Sequence, residues 1–329
     1  MQNIYGHILE LLRQGRKVRL VTTFGPGRTD KTLRDEDFDF ADSDSEAVRL
    51  VESDSVLTVT ENFTPRERLI ILGAGHIALP LATIGALLHF DVVVFDDRSS
   101  FANRERFPAA SEVICDYFEA MPDVVAVRPG DYVAIVTRGH KYDQTCLRAI
   151  LRGRMPRYLG MIGSKRRVGI VRQQLRGEGC APERLEQLHA PIGLDIGAVS
   201  PEEIAVAILA EMVQERRRSP SGAGPREATD TELLAWLAGE RAQQAALVTV
   251  LSVRGSAPRN AGAKMAVLAD GRTVGSIGGG CVEADVIKDA RRLLVEGGYR
   301  RRIVDLTDAA EENGMVCGGV MDVLIEAPV

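Results

Sequence analysis

The chain has 329 residues, with 41 Lys and Arg against 46 Asp and Glu, a formal net charge of −5. That length allows two or three domains at roughly 100–200 residues each, and 45% hydrophobic with 26% charged residues excludes a disordered, collagenous or coiled-coil chain. The acidic balance argues against a broad nucleic-acid surface, no apolar run approaches the roughly 18 residues that span a bilayer, and five cysteines do not read as a disulfide framework.

The first residues, MQNIYGHILE, lack the basic-then-apolar plan of a signal peptide. The expectation is a soluble, cytoplasmic protein with reduced thiols and with neither nucleic acid nor membrane as a partner. Residues 1–65 carry a short apolar helix pattern, a strand-like VRLVTTF and an acidic patch from Asp35 to Asp54. Residues 66–214 alternate apolar strands with amphipathic helices, the pattern of a parallel α/β sheet. ERRRSPSGAGPREATD, residues 215–230, has almost nothing to bury and reads as a linker. Its three consecutive arginines read alternatively as a patch for an acidic partner. In residues 231–329 a helix pattern, TELLAWLAGERAQQ, leads into strands and Gly-rich loops.

The two ends resemble each other. HILELLRQGRKVRLVTTFGPG and TELLAWLAGERAQQAALVTVLSVRG share a plan of helix, polar break, LVT strand and Gly turn, and DSVLTVTENFTP loosely matches MDVLIEAPV. This reads as a weak internal repeat with a shortened first copy, or as chance similarity between two helix–strand units. The Gly-rich and Cys-bearing segments of the second copy are missing from the first.

RLIILGAGHIALPLATIGALLHFDVVVFDDR holds the best local motif. LIIL is a continuous apolar run, as expected of a parallel strand buried on both faces. Gly73, Gly75 and Ala78 then give G-x-G-x-x-A where the strand must turn into a helix. The first glycine allows the tight turn, the second lets backbone approach a pyrophosphate, and the small third residue packs helix on strand. Asp96 and Asp97 end the next strand, about 20 residues on, where a ribose-binding carboxylate belongs. Two acids there favour NAD over NADP. His76, inside the motif, is placed to bond a phosphate, to titrate near neutral pH or to cap the helix. A Rossmann-like scaffold that holds no nucleotide is the other reading.

YVAIVT ends in Arg138, Gly139, His140 and Asp143, and polar groups at the carboxyl end of a parallel strand face the ligand crevice. Gly163, Ser164, Lys165 and Arg166 follow another apolar strand, where free N–H groups beside cations suit an anion or are merely solvated. Ser200, Pro201 and Glu203 predict a capped helix from Pro201 to Val213, while His189, Pro191 and Asp195 in the preceding loop read as turn residues.

Near the C-terminus, Asp270-Gly271 signals a tight turn, and Gly278-Gly279-Gly280 precedes a helix opening at Cys281. A thiol at that start has its pKa lowered by the helix dipole. Glu283, two residues on, is close enough to handle a proton or bond a ligand. Cys317 lies in NGMVCGGVMDVLIE, again beside glycines. Zinc, which needs about four ligands, fits poorly, as no histidine lies between Cys281 and Val329. A regulatory disulfide, or an accessible thiolate in a Gly-lined anion pocket suited to a soft metal or persulfide chemistry, stays open. Cys115, Cys146 and Cys180 read as bystander thiols.

Two blocks together resemble the XdhC/CoxI family, the accessory factors of xanthine and carbon monoxide dehydrogenases. One is VRGSAPRNAGAKMAV, VGSIGGGCVEADV and CGG from Arg254 to Gly319; the other is GAGHIA, DDR, TRGHKYD, MIGSKRR and APIGLDIGAVSPEEIAVAILAEM from Gly73 to Met212. The implied fold is α/β: a Rossmann-like parallel-sheet domain, a smaller α/β XdhC/CoxI-type domain at the C-terminus and a shortened related segment at the N-terminus. The implied role is to bind the molybdopterin-type molybdenum cofactor, help it acquire a terminal sulfur and deliver it to an apo molybdenum hydroxylase, with a cysteine desulfurase as donor. On this resemblance Cys281, then Cys317, contacts the metal or carries sulfur, and Arg254, Ser256, Lys264, Gly278, Gly279 and Gly280 hold the pterin or its phosphate. The small domain usually precedes the Rossmann domain in the family; here it follows, so that it docks on the Rossmann domain of a second subunit in a homodimer or folds back through the long linker. Against this accessory role stand an NAD-dependent oxidoreductase, with His140 and Asp143 as its acid/base pair, and a nucleotide or redox sensor switched by Cys281 and Cys317.

Overall fold

The computed structural model describes residues 3–26, 28–34, 47–53, 56–218, 229–279, 281–305 and 319–327. Gly280 and Cys317, and the side chain of Cys281, lie outside that description, as does most of the acidic patch. The described residues form two compact units: Met1–Pro65 with Ser219–Val329, and Arg66–Arg218.

In the first unit, α1 (Ile4–Arg13) is capped by Asn3, whose side chain accepts from the Tyr5 amide, and buries Tyr5, Ile8, Leu9, Leu11 and Leu12 along one stripe. β1 (Val18–Gly25), β2 (Arg28–Arg34), β3 (Val48–Ser53) and β4 (Val56–Phe63) follow, with β1 and β4 alternating between buried and half-exposed residues. They form an antiparallel sheet in the order β2-β1-β4-β3, in which β3 takes up residues 48–53 of the acidic patch.

The second unit runs β5 (Arg68–Leu72), α2 (Ala78–Leu87), β6 (Asp91–Asp96), β7 (Glu112–Cys115), α3 (Met121–Val124), β8 (Tyr132–Ile135), α4 (His140–Arg152), β9 (Tyr158–Met161), α5 (Lys165–Gly177), α6 (Pro182–Glu186), β10 (Leu188–His189) and α7 (Pro201–Arg217). Its strands are all parallel, in the order β10-β9-β8-β5-β6-β7. Leu69, Ile70, Ile71 and Leu72 are fully buried because helices cover both faces: α2 and α7 on one side, α4 and α5 on the other. Each such side chain contributes about 1.5–3 kcal/mol. Ser200 and Glu203 close the capping box as the sequence predicts.

α7, however, runs past Val213 to Arg217, into the stretch read as linker. Arg216 stacks on Phe90 and pairs with Glu67 at 2.7 Å, and Arg157 donates to the carbonyls of Glu215 and Arg216. Those contacts satisfy the last helical carbonyls, so the turn persists.

The chain then returns to the first unit through α8 (Thr231–Leu237), capped by Asp230, and β11 (Ala245–Arg254), β12 (Lys264–Leu268), β13 (Thr273–Gly275), α9 (Cys281–Glu296), β14 (Gly298–Asp305) and β15 (Val320–Ala327). These strands form a second antiparallel sheet, β13-β12-β11-β15-β14. α9 covers one face of it through Val286, Ala290 and Leu293. The other face packs on the N-terminal segment, where Leu247 and Leu324 meet residues of α1 and β1 to β4.

Candidate functional site

In the parallel sheet, β5 and β8 are neighbours whose connections leave in opposite directions, which makes a crevice at their carboxyl ends. Gly73 sits there with φ +111°, and a Cβ on it would come within 2.6–2.8 Å of the Val136–Thr137 backbone. Glycine is therefore required both for the turn and for the approach of β8. A Cβ at Gly75 would meet nothing within 4 Å, so its backbone faces open space just before α2. Ala78 is fully buried at the helix start, as a helix-to-strand packing residue must be. His76 is exposed, and the cap position belongs to Ile77, which makes no side-chain bond; the histidine does not cap α2.

Asp96 differs from the expectation. It is 1% exposed, and its carboxylate accepts from the Ala74 amide at 2.7 Å and from the Arg98 amide and guanidinium at 2.8–3.1 Å. Burial alone raises its pKa, but these bonds outweigh it and hold the group below the ordinary carboxylate range. Asp96 thus pins the glycine turn and has no lone pair aimed at a ribose. Asp97, partly exposed, is the neighbouring acid, and Arg138 clamps it while also donating to Tyr142 Oη at 2.8 Å.

His140 and Asp143, read as acid/base candidates, stand in opposite surroundings. His140 is exposed at the start of α4, whereas Asp143 is fully buried against the Thr137 hydroxyl and the Arg167 guanidinium. Burial, its largest influence, raises the Asp143 pKa. Ser164 caps α5 by accepting from the Arg167 amide, which fixes Gly163 and the exposed Lys165 at the mouth of the same sheet end.

A cluster the sequence did not reveal lies beside β10. Glu211 accepts from Tyr158 Oη at 2.5 Å, shares a bond with His189 Nδ1 at 2.9 Å and accepts from the Gly193 amide at 2.7 Å. His189, expected in a turn, instead ends strand β10, and its ring is held by this carboxylate, 22 residues away in the chain.

In the C-terminal domain three segments converge. A Cβ at Gly278 would overlap the Pro258 ring, and one at Gly319 would lie 2.8 Å from the Ser256 carbonyl carbon and 2.9 Å from the Arg254 oxygen. The Arg254–Pro258 turn therefore touches both the glycine loop before Cys281 and the glycine two places after Cys317. Arg254 and Ser256 are exposed there, and Gly279, at φ +76°, faces open space.

Two expected ligands have other work. Lys264 is 7% exposed; its ammonium is paired with Glu61 and donates to Thr249 Oγ1 at 2.8 Å. It belongs to the buried contact between residues 1–65 and the C-terminal domain. Glu283 Oε1 accepts from the amides of Ile277, Gly278 and Gly279 at 2.9–3.3 Å and from Ser276 Oγ at 2.7 Å. The donors expected to hold an anion thus already hold one, supplied by the chain. Burial raises the Glu283 pKa, but these bonds prevail and lower it. Its ionised form holds the loop at neutral pH, and the contribution fades only as pH falls through that lowered value, beneath the ordinary glutamate figure of about 4.3. Glu283→Ala should destabilise the unit by roughly 1.5–3 kcal/mol and speed amide exchange at Gly279 at pH 7. Unchanged exchange would refute the carboxylate's role.

Of the other thiols, Cys146 is buried in the core, where desolvation pushes its pKa up, while Cys115 is exposed and Cys180 half-buried. Among the described residues no cluster of three His, Cys, Asp or Glu is placed to hold a metal, and no helix is long and apolar enough to cross a membrane.

The strand order, glycine turn and two-faced helical cover define the middle unit as a Rossmann domain. Residues 69–212 match the XdhC Rossmann domain, and residues 238–306 match the XdhC and CoxI family. The chain belongs to the XdhC and CoxI family. It is 36% identical over 158 residues to the uncharacterized protein YqeB of Escherichia coli, covering 48% of this chain and 29% of that one. It is 33% identical over 158 residues to a probable xanthine dehydrogenase subunit of Bacillus subtilis, covering 48% of this chain and 46% of that one. The matched stretch thus spans less than half the length of either relative. A crystal structure described as a xanthine dehydrogenase from Bacillus halodurans is similar at 28% identity and a TM-score of 0.52, covering 66% of this chain and 65% of that one.

Proposed function

We propose that the chain is a cytoplasmic accessory factor for a molybdenum hydroxylase of the xanthine dehydrogenase type. In this reading it binds a molybdopterin-type molybdenum cofactor, assists its sulfuration with a cysteine desulfurase as donor, and passes it to the apo-enzyme. The observation that carries the reading is the convergence of the Arg254–Pro258 turn, the Gly278–Gly279 loop and Gly319, next in sequence to Cys281 and Cys317. The names of the Bacillus relatives support the partner class.

The residues present fit such a cofactor. Exposed Arg254 and Ser256 suit an anionic phosphate, Gly279 leaves its backbone uncovered, and Cys281 and Cys317, next in sequence to these turns, are of the residue type that suits a soft metal. When bound, the cofactor supplies the metal–dithiolene centre that the served enzyme uses. This chain's residues would hold and orient it: Glu283 fixes the glycine loop, and Cys281, at the start of α9, would be the first candidate to contact the metal or carry sulfur. In the Rossmann unit the open approach at Gly75 suits a nucleotide pyrophosphate, with NAD the expected nucleotide and Asp97 in the place first given to Asp96.

The test is to purify the protein from a molybdenum-sufficient host, oxidise it and measure the fluorescent pterin per chain, beside Cys281→Ala. Near-stoichiometric pterin that falls at least tenfold in the variant is the expected result. Pterin held equally by both would remove Cys281 from cofactor binding, and its absence from both, with NAD bound instead, would overturn the proposal.

A further inference from the structure

The N-terminal segment and the C-terminal domain have the same connectivity. In each, a helix (α1, α8) precedes the first strand, and the sheet order β2-β1-β4-β3 corresponds to β12-β11-β15-β14. The registers correspond as well. Leu20 faces Glu61 as Leu247 faces Glu326, and Thr22 faces Lys31 as Thr249 faces Lys264. Lys31, Glu61, Lys264 and Glu326 are therefore two equivalent pairs of positions.

Their contacts are reciprocal. Lys31 pairs with Glu326 at 2.9 Å, and Lys264 pairs with Glu61. The lysine of each copy takes the glutamate of the other, and no pair joins a lysine to the glutamate of its own copy among these four. The apolar contacts repeat the relation, with Leu20 and Leu247 in one shared cluster and Val59 and Leu324 in another. A contact from position i of one body to j of its partner, returned from i of the partner to j of the first, is the signature of an isologous two-fold interface.

The two copies differ where the candidate site lies. The β1–β2 hairpin closes at Gly25 and Arg28, where β11 and β12 are joined by the turn that starts at Gly255. The connection between β2 and β3, residues 35–47, is shorter than the 16-residue α9 that lies between β12 and β14. The β3–β4 connection is residues 54–55, where the second copy has the segment with Cys317. The face that α9 covers has changed to suit. Val248, Val250, Val323 and Ile325 correspond to Val21, Thr23, Thr58 and Thr60, which are half-exposed and mostly polar.

We infer that residues 1–65 are a truncated copy of the C-terminal domain, docked on it about an internal two-fold axis. They fill in cis the place that a second copy of that domain would fill, so that a two-domain pair carries one Cys281 site instead of two. The face bearing Lys264, Thr249 and Glu326 is self-complementary, and its partner is another copy of the same fold, supplied by the same chain.

The test exploits the charge pattern in the full chain. Lys264→Glu places two carboxylates together and should lower Tm by about 10 °C. Adding Glu61→Lys restores an opposite pair and should recover most of that loss. The double variant leaves the N-terminal copy with two lysines and the C-terminal copy with two glutamates on this face. Pairing between the copies survives, whereas pairing of two C-terminal domains from different chains is repelled. The expected result is recovered Tm with the wild-type mass by sedimentation, and a wild-type Tm that does not move over a hundredfold dilution. No recovery in the double variant, a changed mass, or a concentration-dependent Tm would overturn the inference. Lys31→Glu with Glu326→Lys repeats the test at the dyad-related pair if the first variants do not fold.

Discussion

Gly319→Val should abolish pterin retention and unfold the first unit at a markedly lower temperature. A Cβ at this position meets the Ser256 and Arg254 backbone at 2.8–2.9 Å, and backbone cannot turn aside as a side chain can. The start of β15 would be forced away from the end of β11, a register that ends with Arg254 facing Val320. Overpacking of this kind costs typically 1–3 kcal/mol, and more where the obstacle is rigid. Gly279→Ala is the control. Its Cβ meets nothing within 4 Å, so only the positive φ opposes it, at about 1–2 kcal/mol. Pterin bound per chain and Tm, read together, decide the matter. A Gly319→Val protein with wild-type values of both would mean that the convergence of the three turns has no part in binding.

Asp96→Ala should weaken nucleotide binding without Asp96 touching the nucleotide. Its loss leaves the Ala74 amide and the Arg98 guanidinium without their buried acceptor, a change that costs roughly 3–5 kcal/mol. Because the native pKa is lowered, the stabilisation is present throughout neutral pH and is lost only as the solution falls through that lowered value, below 3.8. Asp97→Ala removes a more exposed partner of Arg138 and should cost under about 1 kcal/mol, yet it removes the carboxylate assigned to the ribose. Urea titrations and NAD titrations of both variants separate stability from contact. Equal stability of the two variants would show that Asp96 does not pin the turn.

The Rossmann unit was legible because its signal is local. A buried strand, a glycine turn and a capped helix are each dictated within a few residues, and Gly73, Ala78, Ser200 and Glu203 stand where the motif places them. Lys264 was misread because what decides its role is Glu61, 203 positions away, and a lysine beside a glycine-rich turn looks like an anion ligand until that partner is known. Asp96 was misread more narrowly. The position is right for the motif, but sequence does not tell whether a carboxylate accepts from a ligand or from the amide of its own glycine turn. Asp143 and Glu283 fail in the same manner, since both look available in the sequence and both are already satisfied in the fold. The Glu211 cluster gave no signal, since a glutamate on an amphipathic helix ordinarily faces solvent.

Residues 66–218 interrupt a unit whose two parts lie on either side of them. On the ribosome, residues 1–65 emerge with the inner faces of α1, β1 and β4 uncovered, and the segment that covers them, from Thr231 on, is translated only after the Rossmann domain. At roughly 5–20 residues per second, that wait lasts on the order of ten seconds or more. The Rossmann domain, whose six-stranded sheet is built entirely from residues 66–218, can complete itself in the interval. The middle of the chain can thus fold before the two flanking segments that make up the first unit meet.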